Sequence, residues 1–287
     1  GPHPLLDDAV RFVSERVLAD GPNLMPAYTV TGQAVPEQRS LDLPGYPGGT
    51  DVLGNQVRSQ FQLDAFGEAL LLLAAAGRHD RLDAEHYRAV TTLVAAIEQR
   101  WHEPGAGLWE LDERRWTHSR LICAAGLRAM AAAGAAVSDA AAWNTLADRP
   151  RRRPGRRRPA ARADPRCPAG RRPAVSRDVG RRPRGAGRRG LRLPVPARRP
   201  AARRGRGRVL LCGFVMALGS HQQGDTLSAA RWFERNRAAC GPPGLFSEEF
   251  DVGQRQLRGN LPQAFVHALL LESAVRLAAP WPGPKGS

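Results

Sequence analysis

Residues 57–77 read VRSQFQLDAFGEALLLLAAAG, and this stretch decides the fold class. Phe61, Phe66, Leu70 and Leu73 recur at helical spacing, which predicts a helix over residues 57–76. From Ala69 to Ala76 every side chain is Ala or Leu, so this helix is apolar around much of its circumference. Such a helix belongs between neighbours rather than on a surface. Gly77 predicts its stop, in a left-handed cap. The apolar run falls well short of the ~20 residues that a membrane span needs.

The same pattern extends outward. Val10, Val13, Val17 and Leu18 form a helical stripe near the start. Asp83 predicts the N-cap of a helix over residues 84–101, with a stripe of Tyr87, Val90, Val94 and Ile97. Helices are also expected over 118–130, 140–147, 210–218 and 226–237. Pro262, at or near a first helical position, opens a last one that reaches 278. The polar, Pro/Gly-rich stretch 21–54 is too long for a simple connection and is expected to carry function or structure of its own. No alternation supports a large sheet. Repeated helix pairs, joined by long loops bearing Trp and Glu, predict an all-α fold, an incomplete α/α toroid with its site on the loops at one rim.

Charge is distributed very unevenly. The 287 residues carry a formal +16, which taken alone points to a polyanion partner. Residues 149–208, however, hold 24 Arg and only two acids, Asp164 and Asp178, a net +22 that leaves −6 for the remaining 227. A basic surface spread over a folded domain is therefore excluded. In that block 51 of 60 residues are Arg, Pro, Gly or Ala and none is aromatic, so it cannot bury enough surface to offset its ordering entropy.

Two readings of the block compete. One is an Arg-rich tether for RNA or another polyanion, although the absence of stacking side chains argues against a nucleic acid partner. The other is a shifted reading frame. Lys285 is the sole Lys beside 42 Arg, which implies a gene rich in G and C. Codons built from G and C alone encode Arg, Pro, Gly and Ala, the four types on which the block collapses. The abrupt return of an apolar helix at Val209-Leu210-Leu211 favours the frame reading. The chain then divides into residues 1–147, a disordered 148–208 and 209–287. Gly1-Pro2-His3-Pro4 shows neither an initiator Met nor a signal-peptide pattern, which reads as a piece of a longer chain with a cytoplasmic location. Cys123, Cys167, Cys212 and Cys240 lack metal-type spacing and are expected to be reduced and mostly buried.

Two acidic clusters near aromatic residues are the candidates for chemistry. They are Gly107-Leu108-Trp109-Glu110-Leu111-Asp112-Glu113 and Leu245-Phe246-Ser247-Glu248-Glu249-Phe250-Asp251. A carboxylic acid sheltered by Trp and Leu loses hydration and holds its proton, while a second in a polar setting stays ionised and serves as base. That division of labour is what cleavage of a glycosidic bond requires. Trp109 offers a flat apolar face to a sugar ring. The bland alternative for each Glu is a solvated charge in a loop.

The order of several motifs adds to this. Leu43-Pro44-Gly45-Tyr46, Gly54-Asn55, Gln62-Leu63-Asp64, Gly67-Glu68, Leu108-Trp109-Glu110, Thr117-His118-Ser119, Leu210-Leu211-Cys212, Ser247-Glu248-Glu249-Phe250-Asp251 and Asn260-Leu261-Pro262-Gln263-Ala264-Phe265 follow one another with gaps that resemble the bacterial glucoamylase/trehalase-like glycoside hydrolases, family fifteen. The resemblance covers residues 5–147 and 209–279. It implies the six-hairpin glycosidase toroid and inverting hydrolysis of an α-glucosidic bond at a sugar end. By the same resemblance Glu110 is the general acid, Glu248 the general base with Glu249 as second choice, and Trp109 and Glu249 line the sugar site. Inversion asks for carboxyls ~6.5–9.5 Å apart. No metal or organic cofactor is implied, and the partner is an α-linked glucoside. His118 and His267 fall in matching motifs and are read as packing or hydrogen-bonding residues.

Two departures bear on activity. The family's sugar-gripping Arg and Asp, ahead of residue 1, have no counterpart here, and the block 149–208 stands where the family has helices and a substrate-binding Arg. The chain as written is therefore expected to be poorly folded and inactive. A contrasting reading is a noncatalytic helical scaffold with the Arg-rich segment as its tether.

Overall fold

A computed structural model of the chain describes residues 3–43, 51–133, 139–148, 207–241 and 243–279. Apart from Gly207 and Arg208, the Arg-rich block lies outside the described residues, as do Pro44-Gly45-Tyr46 and Cys167. The described residues are mostly helical, with eight α-helices and five strands of two or three residues. This agrees with the all-α class expected for a toroid. None of the described helices is long and apolar enough to cross a membrane. The chain divides into two compact units. One comprises Gly1–Gln38 and Gly54–Pro196, the other Arg39–Leu53 and Ala197–Ser287.

The first unit is built around α2 (Asp64–Gly77). Phe66, Leu70, Leu73, Ala74 and Ala76 are wholly buried on it, as a helix apolar on most sides demands. It packs against α4 (Thr117–Ala132) at the range where backbones touch. A Cβ on Gly67 would stand 2.5 Å from Cys123 N, and one on Gly126 would stand 2.6 Å from Gly67 O. Both glycines are there for close approach. Across the same contact the buried Asp64 accepts from Ser119 Oγ at 3.0 Å, and Cys123 Sγ donates to Leu63 O at 3.2 Å. Burial, reinforced by the charge of Asp64, pushes the Cys123 thiol up to about 12, so it is inert.

Helices α1 (Pro4–Asp20), α3 (Ala84–Arg100) and α5 (Ala140–Ala147) complete this core. α3 starts as the sequence indicates. Asp83 accepts from the Glu85 and His86 amides, and His86 returns a bond to the Asp83 N–H, closing a capping box.

Several boundaries and faces differ from the sequence reading. The helix expected from residue 57 begins at Asp64, because Val57 lies in a 3₁₀ turn, Gln56–Ser59. Phe61 is held in a loop: its carbonyl accepts from Ala106 N at 2.9 Å, and its ring carries the Arg100 guanidinium at 3.7 Å. Gly77 is the last helical residue, and the left-handed residue is Asp80, at φ 53. A Cβ at Gly77 would meet Leu82 at 3.3 Å and Ala133 at 3.4 Å, so packing accounts for this glycine. On α3 the buried stripe is Ala89, Val90, Leu93, Ala96 and Ile97, and Tyr87 is exposed. The stretch 21–54 is partly structured, with a bridge between Tyr28 and Ala34 and two paired strands, β1 (Arg39–Ser40) and β2 (Val52–Leu53).

The second unit has a smaller core, in which Leu210, Phe214, Ala239, Phe246 and Val266 are buried. The rings of Phe214 and Phe246 meet edge to face at 6.0 Å. Its helices are α6 (Leu210–Gln222), α7 (Thr226–Arg237) and α8 (Ala264–Ala278). Gly213 lets α7 close on α6, since a Cβ there would collide with the Asn236 amide. Val209, expected to start an apolar helix, instead ends strand β3 (Gly207–Val209), which pairs antiparallel with β4 (Glu249–Asp251); β4 in turn pairs with β5 (Gln256–Arg258). Pro262 precedes α8 by two residues rather than opening it, and the peptide bond before it is cis. α8 buries only Val266 and Ser273, leaving Phe265, Leu271 and Val275 exposed. Among the described cysteines the expectation of mostly buried thiols holds for Cys123, while Cys212 is half-buried and Cys240 exposed.

Candidate active site

The first acidic cluster forms a compact hairpin on the first unit. Gly105 and Arg114 pair as a bridge, exchanging two backbone bonds of 3.0 Å. Inside it Glu110 N donates to Gly107 O at 2.9 Å and Leu111 N to Ala106 O at 3.0 Å. Gly107, at φ 66, cannot be replaced without cost, because a Cβ would stand 2.8 Å from the Trp116 ring. Glu110 itself holds a left-handed backbone, φ 50, which is uncommon and unfavourable for a residue with a Cβ. The turn thereby sets Glu110 at its tip. Its Oε1 accepts from Asn55 Nδ2 at 3.2 Å.

This carboxyl is exposed. Leu108 and Trp109 beside it are also open, at 41% and 45% of their surface. The apolar shelter expected around this acid is thus not supplied by its own loop: Trp116, not Trp109, is the Trp packed inward against Gly107. The Trp109 side chain stays open to solvent.

The second cluster lies on the second unit and is held far more tightly. Phe246 is buried and anchors the segment: its carbonyl accepts from Gln263 N at 2.9 Å, and its N–H donates to His267 Nε2 at 3.3 Å. Acceptance at Nε2 places the His267 proton on Nδ1, which lies 2.8 Å from Gln263 O. His267 therefore packs and hydrogen-bonds as expected. Ser247 is buried, donating to Glu249 O at 2.8 Å and accepting from Arg258 N at 3.1 Å.

Glu248 follows, with its carbonyl accepting from Leu210 N at the start of α6 (2.9 Å). Its carboxylate is half-buried. Oε1 accepts from Asn260 Nδ2 and Gln263 Nε2, both at 3.2 Å. Oε2 faces Gly259, where a Cβ would stand only 2.3 Å away. Two amides and a glycine therefore fix the direction of this carboxylate. Glu249 is exposed in β4, cross-strand from Val209 and Arg258.

Trp109 and Glu110 thus belong to one unit, and Glu248 and Glu249 to the other. The residues that orient the two candidate acids, Asn55, Gly259, Asn260 and Gln263, stand within or beside quoted motifs but carry no role in the sequence reading. Amide side chains three residues apart, Asn260 and Gln263, just ahead of a helix were the available signal. His118 is exposed. No group of three or more potential metal ligands gathers among the described residues.

Comparison with protein families gives one match, to the model described as glycosyl hydrolases family 15, over residues 3–157. It spans Trp109 and Glu110, and Glu248 and Glu249 lie beyond it. Comparisons with curated proteins and with solved structures give no match. With just over half of its length in that match, a mostly helical fold and the loop-borne acids in their motifs, the chain belongs to the glycosyl hydrolases family 15.

Proposed function

We propose that the activity native to this sequence is inverting hydrolysis of an α-glucosidic bond at the end of a saccharide, with Glu110 as general acid and Glu248 as general base. The observation that carries this reading is the Glu248 carboxylate, held at Oε1 by Asn260 and Gln263 and bounded by Gly259. Both donors hold one oxygen and so set where the carboxylate points, and a base must face the water it deprotonates. In the reaction Glu248 takes that proton as the water oxygen attacks the anomeric carbon. Glu110 gives its own proton to the departing glycosidic oxygen. One bond is made, one broken, and the proton count balances.

The left-handed backbone at Glu110 supports the first assignment, since strain of this kind concentrates at functional residues. The open ring of Trp109 supports a sugar platform beside it. Glu249 remains the second choice for base and a candidate for substrate binding. The substrate is an α-linked glucoside of the maltose or trehalose type. The unpaired thiols of Cys123, Cys212 and Cys240 support a cytoplasmic location.

Residues 1–147 and 209–287 are, on this reading, two parts of one catalytic domain, and the chain as written is inactive. The exposed Phe265, Leu271 and Val275 leave one face of α8 uncovered, which supports an incomplete domain. The test compares glucose release from maltose and trehalose by two chains. One is the chain as written. The other is a frame-restored chain, in which residues 149–208 are retranslated from the alternative frame of the coding DNA. Turnover only in the restored chain, lost in Glu110→Gln and Glu248→Gln, bears out the reading. Turnover by the chain as written refutes its inactivity. Salt-sensitive RNA binding that vanishes on deleting 149–208 would favour the tethered scaffold instead.

A further inference from the structure

We propose that the second unit carries a separate binding site, a pocket for a phosphate group formed by Arg208, Arg235 and Arg255. These three side chains come from different elements, β3, α7 and the turn between β4 and β5, and line one cavity of about 260 Å³. That volume lies at the small end of ligand pockets, fitting a compact anion rather than a long saccharide. The buried Leu210 and Asn236, with the half-buried Phe250, line the same cavity.

The acids of this surface are committed elsewhere. Glu234 pairs with Arg237 at 2.7 Å, and Asp251 stands 3.9 Å from Arg258. Among the described residues Arg208, Arg235 and Arg255 pair with no carboxylate, and Arg235 has only the Trp232 ring, at 5.7 Å. Burial, and then the charge of Arg235, hold the Arg208 guanidinium below its ordinary value. A guanidinium does not lose its proton in a protein, so three of them lining one cavity favour an anion there.

The chemistry selects the anion. A phosphate dianion offers several acceptor oxygens and two charges, enough to engage three guanidinium forks, whereas a carboxylate's two oxygens leave one fork idle. The carbonyls at the C-terminal end of α7 account for Arg235 alone, as a cation near a helix C-terminus. They do not account for Arg208 and Arg255. The pocket uses neither candidate glutamate; Arg235 and Arg255 lie outside residues 149–208, while Arg208 is the last residue of that block, so the three-arginine site belongs to the chain as written.

Isothermal titration of the full chain with inorganic phosphate and with glucose 6-phosphate, at constant ionic strength in chloride, tests the proposal. Saturable one-site binding is expected. Arg255→Ala should raise Kd about tenfold, and Arg235→Ala with Arg255→Ala about a hundredfold, each lost charged hydrogen-bonding partner counting for about a factor of ten. Arg255→Lys, which keeps the charge and loses the fork, should fall between wild type and Arg255→Ala. Arg11→Ala on α1 should change nothing. Equal affinity for the two ligands means that the phosphate group alone is read; tighter binding of glucose 6-phosphate means that its sugar is seated too. Heats of dilution only would overturn the proposal. So would binding that the double variant leaves intact, because it would place the phosphate elsewhere, the Arg-rich residues 149–208 first.

Discussion

The loops around Glu110 and Glu248 solve one problem in opposite ways. Glu110 sits exposed at the tip of a turn, in a left-handed conformation, with a single side-chain amide on its carboxyl. Glu248 is half-buried between the start of α6 and the approach to α8, with two amides on one oxygen and a glycine against the other. The first residue is aimed by its backbone and the second by its surroundings. The pattern suits their proposed tasks, because an acid must present its proton to a leaving group while a base must hold one water in line. It also predicts that perturbing the surroundings harms Glu248 far more than Glu110.

The largest expected effects remove the groups themselves. In the frame-restored chain Glu110→Gln and Glu248→Gln should each lower kcat by about 10²–10⁴, the range of one acid or base, with KM little changed. Steady-state glucose release measures this. A loss confined to one of the two variants would break the symmetry of roles.

Next comes Gly259→Ala. Its Cβ would stand 2.3 Å from Glu248 Oε2, so the carboxylate must move, and φ 86 strains any residue with a Cβ. The strain alone should lower stability by about 1–2 kcal/mol. Gly244→Ala sharpens the comparison: its φ is 78, but nothing lies within 4 Å of the added atom. Both variants should melt lower, and only Gly259→Ala should also lose more than tenfold in kcat. Equal kcat in the two would show that the Gly259 contact does not position Glu248.

A smaller effect separates the amides. Gln263→Ala removes one of two bonds to Glu248, and Asn55→Ala the one drawn to Glu110. Each bond to a charged group counts for about 1.5–3 kcal/mol when sheltered and less when exposed. Gln263→Ala should therefore reduce kcat about tenfold and Asn55→Ala severalfold at most. The reverse order would contradict the contrast between the loops.

The smallest concerns the fold. His86 N–H, followed by that of Glu85, holds the Asp83 carboxyl below its ordinary value. A lowered pKa gives stability that is present above the unfolded value, near 3.9, and disappears as pH falls through the folded one. Asp83→Ala should cost about 1 kcal/mol at pH 7. That gap should shrink below about pH 4 in denaturant titrations.

Much of the helical plan was legible because Leu and Ala repeat at helical spacing on α2 and because Asp83 acts locally, through the amides just after it. The true start of α2 was not legible. Phe61 fits the helical period, yet its carbonyl is taken by Ala106, 45 residues on, which no local pattern reveals. The β3–β4–β5 sheet was missed for the same reason: its strands are three residues long, and β3 meets β4 from across the sequence. The two candidate Glu were singled out by their motifs and by resemblance. Their orienters were not, since Asn55 reaches Glu110 from 55 positions away and the Gly259 contact depends on a turn of the backbone.

The most direct test of the hydrolytic account is the anomeric configuration of glucose at the moment of release, read by proton NMR during early turnover of an α-glucoside by the frame-restored chain. β-Glucose appearing first, and none in either Glu→Gln variant, is the predicted result. α-Glucose appearing first, or turnover that survives both substitutions, would contradict it.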